Sequence, residues 1–494
     1  MDKTRHIYDL THGGNCYFLS RPRRFGKSLL ISTIKCYYEG KRELFDGLYL
    51  STVEKEWKKH PVLMLDLNTE NYNAPQALES KLNLFLTQQE TLYGAQLGET
   101  TLGTRLEGVI RRAHEQTGLR AVILVDEYDK PMLQAIGNPC LQEDYRNILK
   151  GFYGALKSMD EHIQFAMLTG VTKFGKMSVF SGLNNLNDIS MASQYSDICG
   201  VSGEELLTNF PGHIAALAEA NGLTREECIA RLRENYDGYH FEENTPGMYN
   251  PFSVLNTFYH RKFKDYWFET GTPTYLMELL KRNDCSLERM ADSEVTADVL
   301  NSVDILETDP IPVIYQSGYL TVKSYDSEFN TYTLGFPNRE VEQGFMNYLL
   351  PYYSGIRREE SGFHIARFVR DVRSGNTEAF LERLQSFFVD TPYELIRDLE
   401  NHYQNVLFIL SRLAGFYVKA EYHTSRGRID MVLQTERYTY VMEFKLDGTA
   451  EEALQQIKDK GYDLPFRADR ERQLQLIGLN FSSETRSIER YVVE

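Results

Sequence analysis

The sequence predicts a multidomain α/β protein, and three observations along its 494 residues support this. Residues 1–202 alternate short apolar runs with longer segments that fit crossover helices, a pattern typical of a parallel sheet. Residues 203–300 turn helical, and residues 403–494 follow an α-β-β-β-α-β pattern. At roughly 150 residues per domain this length fits about three domains. We expect boundaries that give domains 1–202, 203–350 and 351–494.

Four apolar runs are the candidate strands of the first domain. Each is short and contains β-branched or aromatic side chains, which fit a pleated, half-buried surface. The runs are Cys16–Leu19, Val62–Leu67, Ala121–Val125 and Phe165–Leu168. The segments between them are long enough for helices, so successive strands are expected to run parallel.

The middle region combines helices with one predicted hairpin. Thr224 and Glu227 stand three residues apart before a helical stretch, which is the spacing of a capping box. Tyr319–Ser324 and Thr331–Gly335 flank a polar turn and read as a β-hairpin. A hairpin after a helix is the wing of a winged-helix module, so we expect a helical and winged-helix-like middle.

The last domain is predicted from a mixed order of helices and strands. A helix is expected to end near Ala414, and a second is expected from Ala450 to Lys460. The predicted strands are Tyr417–Tyr422, Ile429–Leu433, Tyr438–Phe444 and one near Leu474–Leu479.

Composition excludes several classes of protein. The chain is 42% hydrophobic and 25% charged, which is too apolar for disorder. A formal charge of −16 argues against a surface covered in cations for nonspecific nucleic-acid or membrane binding. Six cysteines form no CxxC pair, so neither a zinc ribbon nor a disulfide framework is indicated. No apolar run is long enough for a membrane span, and we expect a cytoplasmic protein.

A glycine-lysine-serine loop follows the first candidate strand and opens a candidate helix, the context of a phosphate-binding loop. There, backbone N–H groups cradle phosphates, Lys27 reaches the β- and γ-phosphates of ATP, and Ser28 ligates Mg²⁺. Arg21 stands where the first glycine of GxxxxGK[ST] is expected. A basic surface turn is the alternative. The residues expected at ATP are Arg21, Pro22, Arg23, Arg24, Phe25, Gly26, Lys27, Ser28 and Leu29.

A second element strengthens the nucleotide prediction. The buried run at 121–125 ends in Asp126, expected to act on Mg²⁺, and Glu127, expected beside the attacking water. Thr169 ends a neighbouring strand, where it either contacts the γ-phosphate or is an ordinary strand end. Asp129 is either a third carboxylate of the site or a helix N-cap, and the sequence favours neither.

Two strand ends in the last domain carry a second constellation. Asp430 begins one strand, and Glu443 and Lys445 lie on one face at the end of the next. The two carboxylates suit a divalent ion, Mg²⁺ or Mn²⁺, while Lys445 polarises a phosphate or orients water. A cross-strand salt bridge is the alternative reading.

Further residues surround this constellation. Gln456 is expected on the following helix as part of the catalytic set, with Tyr462 near the end of that helix. Glu400 is either an outer metal ligand or, as we favour slightly, a solvated helix charge. The cations proposed for phosphate contacts are Arg426, Arg428, Lys458 and Lys460.

Several segments together resemble one bacterial family, the AAA-ATPase-like proteins fused to a PD-(D/E)XK nuclease domain. The similar segments are SRPRRFGKS, VDEYDKP at 125–131, TGVTKFGKMSVFSGLNNLNDIS at 169–190, YDGYHF at 236–241, YQSGYLT at 315–321, LGFPNREV at 334–341, and TSRGRIDMVLQ with EFKLDGTAEEALQQIKDKGY. The resemblance implies a P-loop ATPase core and a restriction-endonuclease-like α/β tail. A missing first glycine is normal there. Members usually carry a further segment before Asp2, so Met1 is expected to be a shortened start.

The resulting hypothesis is an ATP-binding and ATP-hydrolysing regulator joined to a Mg²⁺-dependent nuclease that acts on DNA. The alternative is a nucleotide-switched binding or signalling protein whose nuclease fold is a docking module without catalysis. Whether ATP sites form between copies in a homo-oligomer stays open, because no arginine finger can be named.

Overall fold

The computed structural model describes residues 1–173, 185–269, 276, 279–280, 285–301, 309–388, 399–415, 419–422 and 430–494. The chain divides into two compact units. Unit 1 contains Met1–Asn283 and Asp292–Glu340, and unit 2 contains Asp284–Ala291 and Val341–Glu494. The three-domain division of the sequence remains a prediction.

A five-stranded parallel sheet forms the centre of unit 1. Its strands are β1 (Cys16–Ser20), β2 (Val62–Asp66), β3 (Ala121–Asp126), β4 (Ile163–Gly170) and β5 (Asn187–Asp188), in the order β2-β3-β4-β1-β5. The four predicted strands and their parallel direction are confirmed. Every residue of β3 is buried, because helices cover both faces of a parallel sheet. The carboxyl ends of β1, β3 and β4 therefore meet at one edge.

Helices connect and flank this sheet. Those of unit 1 are Thr4–Gly13, Lys27–Tyr38, Tyr49–Val53, Ala77–Tyr93, Leu102–Thr117, Lys130–Gln134, Pro139–Ser158, Gly203–Asn209, Pro211–Asn221, Arg225–Tyr236, Pro251–His260, Tyr266–Glu269, Ala297–Asn301 and Ile311–Gln316. Among the helices that the structure describes, none is long and apolar enough to cross a membrane.

The predicted middle features are present in unit 1. Thr224 and Glu227 form the capping box of the Arg225–Tyr236 helix, each side chain bonded to the other's backbone N–H. Strands β6 (Val201–Ser202) and β7 (Met248–Tyr249) form a small antiparallel pair. The predicted hairpin is β9 (Thr321–Asp326) with β10 (Thr331–Gly335), and β8 (Glu294–Thr296) pairs with the outer side of β10.

A mixed five-stranded sheet forms the centre of unit 2, in the order β11-β12-β13-β14-β15. Its strands are β11 (Lys419–Tyr422), β12 (Met431–Gln434), β13 (Tyr438–Leu446), β14 (Gln473–Ser482) and β15 (Ser487–Val493). Only the β13–β14 pair is parallel, since the Ala450–Asp459 helix crosses between these strands. The predicted strands are confirmed within the described residues, and β15 was not predicted; Tyr417, Val418 and Ile429, at the predicted starts of two strands, lie outside the described residues.

The remaining helices of unit 2 surround this sheet. They are Leu287–Ala291, Arg358–Ser374, Thr377–Ser386, Leu399–Gly415 and Leu464–Arg467, while Arg339–Ser354 begins at the boundary between the units.

Candidate functional site

The loop between β1 and the Lys27–Tyr38 helix turns through two left-handed residues. Gly26, the N-cap, has φ 100°, a conformation that glycine adopts without a Cβ penalty. Arg24 has φ 68° and is exposed. The first backbone N–H groups of an α-helix have no acceptor within the helix, and this favours an anion at the start of the Lys27–Tyr38 helix.

Lys27 is held inside this loop. Its side chain is 3% exposed, and its Nζ donates to the carbonyl oxygens of Arg21 (3.0 Å) and Pro22 (3.3 Å). The same Nζ lies 3.4 Å from Oε1 of Glu127. The loop and the end of β3 are thus joined by one cation. Ser28 and Leu29 are exposed at the start of the helix.

The side chain of Arg21 is buried against residues 190–195. It is 1% exposed, and its guanidinium donates to the backbone oxygens of Ser20 (2.9 Å), Ser190 (2.7 Å) and Tyr195 (3.0 Å). It also lies 3.9 Å from the centre of the Phe241 ring. The expectation that this side chain contacts the triphosphate is therefore not supported by its position. Its role here is to tie the loop to residues 190–195.

Asp126 and Thr169 meet at the ends of β3 and β4. Thr169 Oγ1 donates to Asp126 Oδ1 at 2.7 Å, and both side chains are buried. Glu127 has φ 54°, a left-handed conformation that costs a residue with a Cβ roughly 1–2 kcal/mol. This turn is what directs the Glu127 carboxylate to Lys27. The sequence placed all three residues at one edge, and the structure brings them together.

Asp129 occupies the N-cap position of the Lys130–Gln134 helix, one of the two readings that the sequence left open, although its side chain makes no capping bond. The carboxylate is fully buried and accepts from the backbone N–H of Val171 and from both the N–H and the hydroxyl of Thr172. Burial, reinforced by the charge of Glu127, raises the pKa of Asp129 to about 6. Asp129 thus fastens the residues that follow β4 to the end of β3.

In unit 2, Asp430 and Glu443 face each other across β12 and β13. The register pairs Met431 with Met442, which places the next residues outward, Asp430 and Glu443, opposite one another. Phe444 N–H donates to Asp430 Oδ2 at 2.9 Å and fixes this carboxylate. The antiparallel approach that the sequence predicted is present.

Gln456 links the other two members of the set. From the Ala450–Asp459 helix, its Nε2 donates to Glu443 Oε1, and its Oε1 accepts from Lys445 Nζ. Lys445 Nζ lies 3.9 Å from Glu443 Oε1, so the amide stands between the cation and the carboxylate. Glu443 Oε2 is buried and has no hydrogen-bond partner among the described residues.

The electrostatics of the pair favour a cation. Burial, and then repulsion from Asp430, raises the pKa of Glu443 to about 8. Burial also raises the pKa of Asp430 to about 6, although the Phe444 amide and Lys445 act in the opposite direction. Two crowded carboxylates with an unpartnered oxygen fit Mg²⁺, which is usually held by one or two carboxylates, waters and substrate phosphate. No set of three or more His, Cys, Asp or Glu side chains suited to a metal occurs in the described part of the chain.

Comparison with known proteins assigns both ends of the chain to known families. Residues 1–180 match the family model described as Predicted AAA-ATPase, and residues 398–491 match the PD-(D/E)XK nuclease superfamily. The chain is also 35% identical over 511 residues to an "Uncharacterized protein in vnfD 5'region" of Azotobacter chroococcum mcd 1, covering 100% of this chain and 95% of the relative. The chain belongs to the AAA-ATPase-like proteins fused to a PD-(D/E)XK nuclease superfamily domain.

The loop of this AAA-ATPase-like protein rests on aromatic residues that sequence reasoning did not assign to the site. Trp267 Nε1 donates to the carbonyl oxygen of Arg23 at 3.1 Å, and the ring of Phe25 packs on Tyr239. A Cβ on Gly318 would lie 2.6 Å from Pro22. The segments YDGYHF and YQSGYLT contain two of these residues, and their density of aromatic and glycine residues was the available signal.

The remaining residues predicted around the PD-(D/E)XK set are placed as follows. Arg426 and Arg428 lie outside the described residues. Lys458 forms an ion pair with Glu494, and Lys460 is exposed. Glu400 is exposed and accepts a hydrogen bond from Gln404. Tyr462 is buried near the end of the Ala450–Asp459 helix.

Proposed function

We propose that this protein is an ATP-binding and ATP-hydrolysing regulator coupled to a divalent-metal-dependent nuclease that cleaves DNA phosphodiester bonds. The observation that carries the proposal is the set formed by the buried Glu443 and the half-buried Asp430, Lys445 and Gln456. A carboxylate as buried as Glu443 is normally paired or coordinated, yet one of its oxygens has no hydrogen-bond partner among the described residues. The family assignment supports the same chemistry.

The residues of the nuclease set have separate tasks in this proposal. Asp430 and Glu443 hold Mg²⁺ or Mn²⁺, which supplies charge stabilisation at the scissile phosphate when bound. Gln456 fixes the Glu443 carboxylate and keeps Lys445 from closing on it. Lys445 then directs its ammonium to the phosphate or to the attacking water.

The nucleotide site is proposed to begin from the closed arrangement of Lys27. In this arrangement the ammonium is satisfied by two carbonyl oxygens and Glu127. The β- and γ-phosphates of ATP offer Lys27 stronger, charged acceptors. When Lys27 moves to the phosphates, Glu127 becomes free to orient water. Ser28 and Asp126 would hold Mg²⁺, and Thr169 keeps its hydrogen bond to Asp126.

A plasmid-cleavage assay tests the nuclease. Full-length protein is incubated with supercoiled plasmid and Mg²⁺ or Mn²⁺, beside Asp430→Asn and Lys445→Ala. Cleavage by the wild type, lost in both variants, is expected. Arg490→Ala is the matched control, because Arg490 is a 68% exposed cation of the same sheet that pairs with Glu451 and is assigned to neither site. Equal traces of cleavage in all samples would favour the docking-module alternative.

A second assay tests the coupling to ATP. Lys27→Ala removes the phosphate cation, and Glu127→Gln keeps the side-chain shape while removing the general base. We expect the ATP dependence of DNA cleavage to change in both variants, with nucleotide binding lost in the first and retained in the second. Cleavage that is the same in all three proteins at every ATP concentration would show that the two activities are independent.

A further inference from the structure

A cleft with a basic lining lies in unit 2 at the sheet end opposite Asp430 and Glu443. It has a volume of about 600 Å³ and is lined by seven residues. Four of them are cations from four separate parts of the chain: Arg373, Lys419, Arg437 and Arg472. In a chain of net charge −16, such convergence requires an explanation.

Strand register places these cations together. Arg437 and Arg472 immediately precede β13 and β14, whose first residues, Tyr438 and Gln473, are paired. Lys419 begins β11 and pairs with Gln434 at the end of β12. The four strands therefore present one end to the cleft.

The C-terminal end of the Arg358–Ser374 helix brings Arg373 to the same place. Tyr440 OH donates to the carbonyl oxygen of Val372, next to Arg373. Gly375 contacts the Tyr438 ring so closely that a Cβ would lie 2.2 Å from it. The position of Arg373 is therefore set by packing.

Cations outnumber acids among the side chains that line the cleft. Arg472 donates to the carbonyl oxygen of Thr435 and to Asp469, which orients its guanidinium beside the hairpin. Glu436 is the one acid among the seven lining residues, beside four cations. Arg437 is exposed, and its guanidinium has no hydrogen-bond or ion-pair partner among the described residues. Like charges that line one cleft repel one another, and a bound anion offsets this repulsion.

We infer that this cleft binds the phosphate backbone of the nucleic acid at a distance from the cleavage site. The inference rests on the proposed function, because the bound strand is the nuclease substrate. Arg437 immediately precedes β13, and Glu443 lies six positions further along the chain. At about 3.3 Å per residue, the cleft and the carboxylate pair are therefore about 20 Å apart. That distance corresponds to about six base pairs of duplex. The cleft thus serves DNA that extends well beyond the scissile bond.

Binding of labelled DNA by the full-length protein tests the inference, measured by fluorescence anisotropy in EDTA so that no cleavage occurs. The probes are a duplex of about 30 base pairs and a hairpin with a stem of about eight base pairs. The short stem extends only about four base pairs from its centre, so it cannot reach from the cleavage site to the cleft. The variant is Arg373→Gln with Arg437→Gln. Arg490→Gln is the matched control, since Arg490 is an exposed arginine of the same sheet, 68% exposed and outside the cleft.

For the double variant we expect the affinity for the long duplex to fall about tenfold. The slope of log affinity against log salt should become shallower by about two, since each lost phosphate contact removes about 0.9. The short hairpin and the control should bind as in the wild type. Arg437→Gln alone should make the salt slope shallower by about one. Because Arg437 is exposed in a hairpin, this single variant keeps the test valid if the double variant unfolds.

Three outcomes separate the alternatives. Unchanged affinity and slope for the long duplex in a folded variant would overturn the inference, while metal-dependent cleavage by the wild type would leave the proposed function standing. Absence of cleavage together with the expected binding changes would reject the nuclease function alone. The last outcome concerns free nucleotide. If a fluorescent ATP analogue binds the Lys27→Ala protein, and this binding is lost when the cleft substitutions are added to that variant, the cleft is a site for free nucleotide and the inference is overturned.

Discussion

Replacing Arg21 with glycine would restore the residue that the GxxxxGK[ST] pattern has at this position, yet we expect it to destabilise the protein. The guanidinium is buried without a carboxylate within ion-pair distance among the described residues. Instead it is bonded to three backbone oxygens, and burial lowers its pKa to about 10. The substitution removes the tie between the loop and residues 190–195.

The size of the effect follows from these contacts. The buried carbonyl oxygens of Ser190 and Tyr195 lose a charged donor, at roughly 1–3 kcal/mol each. Loss of the contact with Phe241 adds roughly 0.5–2 kcal/mol, and the freer glycine backbone adds roughly 0.5–1 kcal/mol. Relief of the buried charge offsets part of this. We expect a net loss of about 3–5 kcal/mol in the free energy of unfolding of unit 1.

Urea unfolding of the full chain, with hydrogen exchange of residues 187–196, measures the effect. Faster exchange in that segment is the specific signature, because its anchor is lost. Arg24→Gly is the control: Arg24 is an exposed loop arginine with φ 68°, so glycine there should change stability by no more than about 1 kcal/mol. A loss below about 1 kcal/mol in Arg21→Gly, with unchanged exchange, would refute the reasoning.

Three further predictions use other contacts. Gly318→Ala places a Cβ 2.6 Å from Pro22, so it should weaken ATP binding and lower the free energy of unfolding by about 2 kcal/mol or more, measured by thermal unfolding. The control is Gly154→Ala, in open space on a helix, which should raise the free energy of unfolding by about 0.5–1 kcal/mol in the same assay. Burial lowers the pKa of His402 to about 4, so His402 stays neutral in the folded chain while the unfolded chain takes up a proton below about pH 6.5. Stability should therefore fall by about 3 kcal/mol from pH 6.5 to 4, and His402→Gln should flatten this fall in pH-dependent urea unfolding; equal slopes would contradict it. Gln456→Leu should keep the fold but lower DNA cleavage about 10–100-fold, and cleavage at the wild-type rate would remove Gln456 from the set.

Much of the architecture followed from local patterns. The strands that begin at 16, 62, 121 and 163 are short apolar runs with β-branched or aromatic residues, and helices lie between them. The Thr224 capping box and the 321–335 hairpin were equally local signals. Strand β15 was missed because Ser487–Val493 alternates weakly and contains two consecutive exposed charges, Glu489 and Arg490.

The candidate sites were predictable to different degrees. Asp430 and Glu443 could be paired in advance, since antiparallel neighbours with a short link have few registers. The bonds of Gln456 to both Glu443 and Lys445 required the angle of a helix packed on the sheet. The partners of the Asp129 carboxylate, Val171 and Thr172, were not predicted because they follow a different strand end.

The sequence by itself determined most of the longer helices and strands, their order along the chain and the residue types at each strand end. These features depend on periodicity and turn chemistry between near neighbours. Only the tertiary structure decided which groups the charged side chains contact. Arg21 faces the carbonyls of residues 190 and 195, and the basic cleft gathers cations from positions 373 to 472. Such contacts depend on how distant segments pack, and a net charge of −16 summed along the chain contains no record of that arrangement.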